Sequence, residues 1–331
     1  WRPTMLDQWN LSIQRQVGAD WLFTANYIGN KTTHLITAAQ ANPAIFIPGL
    51  CGTSACSTTG NVNSRRLLNV LNPAQGKSYA SIGTLDDGGT GTYNALFLSA
   101  QKRMSKGASV LANYTWSHCI SDLWNAFPGN NGTSAVTPGN RRNDRSNCAG
   151  SDQKHVFNLS AVLQTPNFNQ RALGWVASDW QISPIMKLKS AQFFTVTTGV
   201  DNALNAEGGQ RPNLTNPNPY TAKPGVDGWL NASAFGSPAA GTYGNLGANN
   251  MRGPGVFQFD VSVTRTFRVR EAQSIQIRGE AFNLPNTLNP STPVSALNSP
   301  SFGKIQSDIS GTNGLGAGDQ RIVQLALKYV F

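Results

Sequence analysis

Charge is the first scarcity in this sequence. Only 13% of its 331 residues are Asp, Glu, Lys or Arg, about half the share of an ordinary soluble domain. Glu is rare while Gly, Asn, Ser, Thr and Gln abound. That excludes the Glu/Lys-rich faces of a helical bundle and any acidic disordered tail. No run of about 18 apolar residues occurs, so no transmembrane helix is expected. Histidine is limited to three residues and no CxxC spacing exists, which leaves little for a zinc site. The net charge of +10 is scattered, and no Lys/Arg block interleaves with aromatics. The densest cluster, "GNRRNDRSN", carries an Asp in its midst. It reads as a solvated cationic surface, not a nucleic-acid groove. The first residue is Trp1, and no charged start, apolar segment and cleavage site precede the first strand. The expectation is a piece of a longer precursor.

What is present is alternation. Apolar and polar residues trade places with period two from end to end, the signature of strands with one greasy and one wet face. "QWNLSIQRQ" sets Trp9, Leu11 and Ile13 against Gln8, Asn10, Ser12 and Gln14. The same pattern recurs in "WLFTANYIG", "ALFLSAQKR", "SVLANYTWS", "HVFNLSAVL", "WQISPIMKLK", "VFQFDVSVTRTF", "SIQIRGEAF" and the closing "QRIVQLALKYVF". That makes nine long strands, with a weaker tenth near "YASIGTL". Pro184 inside the sixth suggests an edge or a bulge.

The links alternate too. Short ones are expected near 17–20, 105–108, 166–174 and 268–272, and long ones near 33–90, 120–152, 201–255 and 287–318. A soluble sandwich keeps connections short at both ends. A transmembrane β-barrel has tight periplasmic turns and long outer loops. The polar faces carry Gln, Asn, Ser and Thr, which suits a wet lumen. The apolar faces carry Trp, Tyr and Phe near strand ends, as an interfacial girdle does. The fold class expected is all-β: an antiparallel transmembrane β-barrel segment of about 9–10 strands.

The four cysteines form two local pairs, Cys51 with Cys56 and Cys119 with Cys148. They read as disulfides stapling loops in an oxidising compartment. His118 beside Cys119 keeps a metal alternative open. Asp260 and Glu280 face one side of neighbouring strands with Arg278 near. Two carboxylates can do acid/base work, but a lumen-facing polar cluster is the preferred reading. Ser117-His118 stands without an acid partner, and His155 falls on the apolar face, at the lipid interface. Asp86 and Asp87 in "GTLDDGGTGTYN" lack EF-hand spacing and read as a turn. "YGNLGANNMRGPG" leads into a strand, so it makes no phosphate cradle and reads as a left-handed turn. No enzyme, metal or cofactor is expected. Loops 33–90 and 201–255 and the inner wall are where a ligand would touch.

Five stretches carry a family resemblance: "QWNLSIQRQVGADWLFTANYIGNKTTHL", "YNALFLSAQKRMSKGASVLANYTWSHCISD", "WQISPIMKLKSAQFFTVTTG", "YGNLGANNMRGPGVFQFDVSVTRTFRV" and "IRGEAFNLPNTLN". Together they resemble the C-terminal part of a TonB-dependent outer-membrane receptor, of the Oar-like group whose members often begin with a carboxypeptidase-regulatory-like domain. The resemblance spans nearly the whole chain. It implies a larger barrel of 22 strands, an N-terminal plug and a TonB-contact segment, with residues 1–331 supplying the last part of the wall. It implies transport of a large nutrient, with outer-membrane lipid, the barrel-assembly machinery and the TonB energising complex as partners. A passive porin, a surface adhesion protein and a soluble carbohydrate-binding β-protein are the alternatives. The closing strand would turn Val323, Leu325, Leu327, Tyr329 and Phe331 to lipid and Gln324 and Lys328 to the lumen. Its terminal aromatic would be the signal that the assembly machinery reads.

Overall fold

The computed structural model describes residues 2–122, 135–148, 152–270, 273–309 and 320–331. Nine long strands run β1 (Met5–Val17), β2 (Trp21–Gln40), β3 (Gly83–Ser105), β4 (Ala108–Ser121), β5 (His155–Gln164), β6 (Trp180–Lys189), β7 (Val256–Arg270), β8 (Gln273–Phe282) and β9 (Ile322–Val330). Each pairs antiparallel with its neighbours in chain order, and the short strand Ser146–Asn147 pairs with the loop end of β4. The sheet is open: β1 and β9 are each paired on one side only.

The register confirms the two faces. Thr24 lies opposite Gln14 and Ser99; Asn113 opposite Ser99 and Asn158; Lys187 opposite Asn158 and Gln258. Residues directly opposite share a face, so these polar rows join into one wet surface. On the other face Phe23, Leu98, Ala112, Leu159, Met186, Phe259, Ile277 and Leu325 follow the same parity. The polar face is not wholly polar. Leu111 and Ile185 sit in its rows, opposite Ser160. Polar residues on the apolar face fall near its two ends. Arg15, Lys102 and Arg265 lie toward the short turns, and Asn94, His118 and His155 toward the long links. From Asn94 to Lys102 is eight steps of about 3.4 Å, a fair match to an apolar band about 25 Å tall.

Aromatics border that band. Tyr27 donates its hydroxyl to Asn94 Oδ1 at 2.8 Å, and Tyr114 Oη lies 2.8 Å from His155 Nδ1. At the turn end Trp21 stacks on Phe23, and near the end of the chain Tyr329 stacks on Phe331. His155 thus sits on the apolar face at its border, as the sequence suggested.

Several expectations need correction. The tenth strand at "YASIGTL" is not separate, because Gly83 to Leu85 already belong to β3. β2 and β3 stay paired from Trp21–Lys102 out to Gln40–Gly83, with irregularities around Leu35 and His34 in a left-handed conformation. The link therefore runs 41–82, not 33–90, and Asp86 and Asp87 lie in a strand, not a turn. At about 3.4 Å per residue β3 is about 75 Å long, more than twice the hydrocarbon layer of a bilayer. Its outer half has no apolar face to keep, so alternation does not mark it. The third short link runs 165–179 and contains a helix, Arg171–Ala177. The fourth lies around 271–272, outside the described residues. Pro184 sits in an interior strand. It has no N–H to give, and the pairs that would join Ala161 to Pro184 and Val162 to Ser183 are missing between β5 and β6.

The long links fold on one another. Phe194, Val196, Leu230, Ala234, Phe235, Leu246 and Met251 form a buried cluster, with Trp229, Leu297 and Phe302 packed against it. This is a satellite core under loops. It joins the 190–255 link to the 283–321 link, and Phe235 meets Phe302 edge-on. Segments 123–134, 149–151 and 310–319 of the expected loops lie outside the described residues.

Candidate functional site

Both disulfides form as paired in the sequence: Cys51–Cys56 and Cys119–Cys148. The first closes a small hairpin, Leu50–Cys51 with Ser54–Ala55. The second ties the loop end of β4 to the residue after Ser146–Asn147. His118 does have an acid partner, contrary to the sequence reading: Asp152, 34 residues on, with Nδ1 to Oδ2 at 3.2 Å. Among the described residues no three metal-ligating side chains gather. Ser117 and His118 point to opposite faces of β4, and the Ser117 hydroxyl donates to the Gln153 carbonyl.

Asp260, Arg278 and Glu280 share the polar face but do not form one cluster. Arg278 Nε lies 3.5 Å from Glu280 Oε1. Asp260 instead accepts from Gln258 Nε2 at 2.9 Å and from the backbone N–H of Asn283 at 2.8 Å. Asp260 therefore closes the loop end of the β7–β8 ladder, while the ion pair lies further along β8. Each carboxylate is thus held by its own partners, Asp260 by Gln258 and Asn283 and Glu280 by Arg278.

The polar face is hollowed in three places. A cavity of about 460 Å³ opens at the loop end, lined among others by Lys187, Lys189, Gln192, Gln258 and Ser291. Below it a pocket of about 150 Å³ is lined by Asn113, Asn158, Ser160 and Asp260, and shares Lys187 and Gln258 with the first. A cleft of about 940 Å³ lies at the turn end, against Gln181, Thr264, Gln276 and Arg278. Lys187 and Lys189 are two apart on β6, so they share a face, and both line the upper cavity. Among the described residues neither has a carboxylate within 4 Å. Two cations with no close carboxylate, in a cavity of amides and hydroxyls that Asp308 also lines, are suited to an acidic group.

Above the wall, ion pairs clasp the loops, and one of them, Arg211 with Asp144, is buried. Arg211 donates to Asp144 Oδ1 at 2.6 Å, to the Asn143 carbonyl at 2.9 Å and to the Leu246 carbonyl at 2.8 Å. Arg145 pairs with Asp122 at 2.8 Å, and Arg141 with Asp86. In "GNRRNDRSN", Arg141, Asp144 and Arg145 are thus ion-paired fasteners, while Arg142 stays a solvated cation; the Asp in its midst was the signal. Arg65, buried, donates to four oxygens, including the Leu204 carbonyl of the 190–255 link. Burial holds its guanidinium below the usual arginine range. In "YGNLGANNMRGPG" the left-handed residue is Asn249, not a glycine. Its amide bonds the Ser146 hydroxyl and the Asn147 carbonyl. Gly244 lies against the Arg211 and Pro212 carbonyls, where a Cβ has no room.

Asp122 gives one of these fasteners a pH dependence. Burial pushes its carboxyl up, but hydrogen bonds from Arg145 and from Thr90 outweigh burial and hold it below the usual range. A depressed carboxyl stabilises the fold above its unfolded value of about 3.9, and that stabilisation is lost as pH falls through the folded value. Hydrogen exchange in 135–148 is therefore expected to quicken below about pH 3.9 ahead of exchange in the wall. Asp122→Asn should already exchange fast at neutral pH and show little further acid response. Equal acid response in both proteins would refute the assignment.

The whole chain was compared with known proteins. No curated protein sequence matches it. Among solved structures it is similar to the outer membrane transporter YddB of Escherichia coli, at 9% identity and TM-score 0.43 over 99% of this chain and 32% of that one. It is also similar to the ferric-catecholate import receptor Fiu of E. coli K12, at 11% identity and TM-score 0.45 over 100% and 28%. A FadL homologue of Pseudomonas aeruginosa aligns at 8% identity and TM-score 0.24 over 99% and 67%. The chain spans about a third of the length of the first two. The family described as an outer membrane beta barrel domain matches residues 1–324. With nine amphipathic antiparallel strands, a wet face and an apolar band edged by aromatics, this chain belongs to that family, and its place is the bacterial outer membrane.

Proposed function

We propose that residues 1–331 are the C-terminal part of the barrel of a TonB-dependent receptor of the Oar-like group, and that they carry a large nutrient ligand inward. The observation that carries this reading is the continuous polar wall under a folded loop cap. Cavities at the loop end and the turn end bracket a row of amides and hydroxyls. The open edges of β1 and β9 support a larger wall, since backbone groups in lipid need a neighbouring strand. A barrel of 22 strands would bring the plug and TonB-contact segment with its remaining part. The role is transport, not catalysis, and the chain needs no cofactor. β9, with Val323, Leu325, Leu327 and Tyr329 on the lipid side and Phe331 beyond, would be the strand that the barrel-assembly machinery reads.

The ligand would bring an acidic group to Lys187 and Lys189. Charge-assisted hydrogen bonds contribute about 1.5–3 kcal/mol each. Lys187→Gln with Lys189→Gln in the full-length protein should weaken binding at least tenfold and cut uptake by cells in proportion. Uptake should also vanish when the TonB energising complex is deleted. A passive porin is the second reading, favoured by the same polar wall. It predicts uptake that survives that deletion, and this outcome would replace the first reading. An adhesion protein predicts no uptake in either strain. Membership of the outer-membrane family leaves no room for a soluble carbohydrate-binding protein.

A further inference from the structure

Arg265 is out of place by parity. It lies on β7 between Val263 and Phe267, on the apolar face, yet it is only 8% exposed. Its guanidinium lies 4.5 Å from the centre of the Phe267 ring and 5.3 Å from that of Trp180. It donates through Nη2 to the Trp175 carbonyl and through Nη1 to the Val176 carbonyl at 3.3 Å. Trp180 Nε1 donates to the same Val176 carbonyl at 2.7 Å. These are the last carbonyls of the helix Arg171–Ala177, which lack partners inside the helix and bear its negative dipole end. Arg265 and Trp180 thus fasten the helix to the lipid-facing side of the wall. What the helix then turns outward is apolar: Trp175 is 74% exposed, Val176 58%, and Phe168 just before the helix 41%.

A tight turn would connect β5 to β6 more simply. The longer link keeps a tryptophan in the open beside the wall, and the wall supplies its level. Arg15 and Lys102 face the same side at the same end. Lys102 folds back to the Ser105 and Ala108 carbonyls of the next turn, away from the apolar band. Charged groups on a lipid-facing wall are tolerated at the interface and not at mid-depth. Short turns lie on the periplasmic side of such barrels. The exposed face of the helix is therefore continuous with the lipid-facing band where that band meets headgroups.

We propose that the helix Arg171–Ala177 lies in the headgroup layer of the periplasmic leaflet, with Trp175 as its anchor and Arg265 as its fastening to the barrel. The occupant of its open face is phospholipid at the glycerol and phosphate level, where tryptophan's apolar ring and polar N–H are both satisfied.

The test places a reporter at Trp175. The Trp175→Cys variant of the full-length protein, labelled with an environment-sensitive fluorophore, is folded into phosphatidylcholine vesicles containing phosphatidylglycerol. The four cysteines of residues 1–331 are paired in disulfides and do not compete for label. Quenchers are carried on lipid headgroups or midway along acyl chains. The expected result is strong quenching by the headgroup probe and at least twofold weaker quenching by the mid-chain probe. Adding Arg265→Gln should lower the headgroup quenching at least twofold. Absence of quenching by either probe places the helix in water and overturns the proposal. Stronger mid-chain quenching overturns it as well. If the Arg265→Gln protein does not fold, the same depth measurement at Phe168→Cys replaces it, with the same expected and opposing outcomes.

Discussion

Arg211→Ala is expected to unfasten two of the outer links from each other, at a cost of about 3–5 kcal/mol. Arg211 is 7% exposed and Asp144 1%, so removing the guanidinium strands a carboxylate out of water. Three acceptors lose their donor at once: Asp144 Oδ1, the Asn143 carbonyl and the Leu246 carbonyl. Burial already pushes the Asp144 carboxyl above the usual range, against the pull of Arg211. Without Arg211 that push is less opposed. The cost should therefore shrink as pH falls through the folded value and Asp144 takes up a proton. The sign follows from a raised carboxyl, whose favourable contribution is complete below about pH 3.9 and lost as pH rises. Hydrogen exchange should show the loss in 135–148 and 193–253, with the wall strands unchanged. Arg142, exposed in the same cluster, is the control: Arg142→Ala should stay within about 0.5 kcal/mol. The double variant Arg211→Met with Asp144→Leu should recover much of the loss, because it removes both buried charges together. Unchanged protection in Arg211→Ala would show that the pair does not clasp the links.

The two parts of the molecule were unequally visible in the sequence, for a physical reason. In the wall, lipid on one side and water on the other force each residue to declare its face. Leu98 and Ser99, or Leu159 and Ser160, could be assigned by parity alone. That pressure ends where a strand leaves the membrane. Thr37 to Gln40 and Gly83 to Asp86 are paired strand, but they lie beyond the apolar band, so their composition reads as loop. The loop cap was hidden for a second reason. Its core residues run from Phe194 to Met251 with no period, because each is buried by a different stretch of chain. Its fasteners join distant residues, Asp144 and Arg211 being 67 positions apart. Local composition shows an Arg-rich cluster and cannot show that its charges are matched from elsewhere. The cysteines were legible because each pair brackets a single link, five residues apart in the first and 29 in the second.

The polar site was legible in kind but not in grouping. Parity placed Asp260, Arg278 and Glu280 on one face. It did not show that Asn283 turns back to Asp260, which separates that carboxylate from the ion pair. Lys187 and Lys189 were visible only as polar members of an alternating strand. Their shared cavity depends on Gln192, Gln258 and Ser291, which come from other strands and links.

The account stands on which face of the wall meets lipid, and the centre of β5 is the place to ask. Leu159 lies between Ala112 and Met186 on the apolar face, and Ser160 between Leu111 and Ile185 on the polar face. An arginine on the lipid side at mid-depth costs about 2–4 kcal/mol, while lumen substitutions mainly tune selectivity. The full-length barrel, folded into lipid bilayers and unfolded by guanidinium, reads both variants on one scale. The account predicts that Leu159→Arg loses about 2–4 kcal/mol and that Ser160→Arg stays within about 0.5 kcal/mol. A larger loss at Ser160 than at Leu159, or equal losses at both, would contradict it.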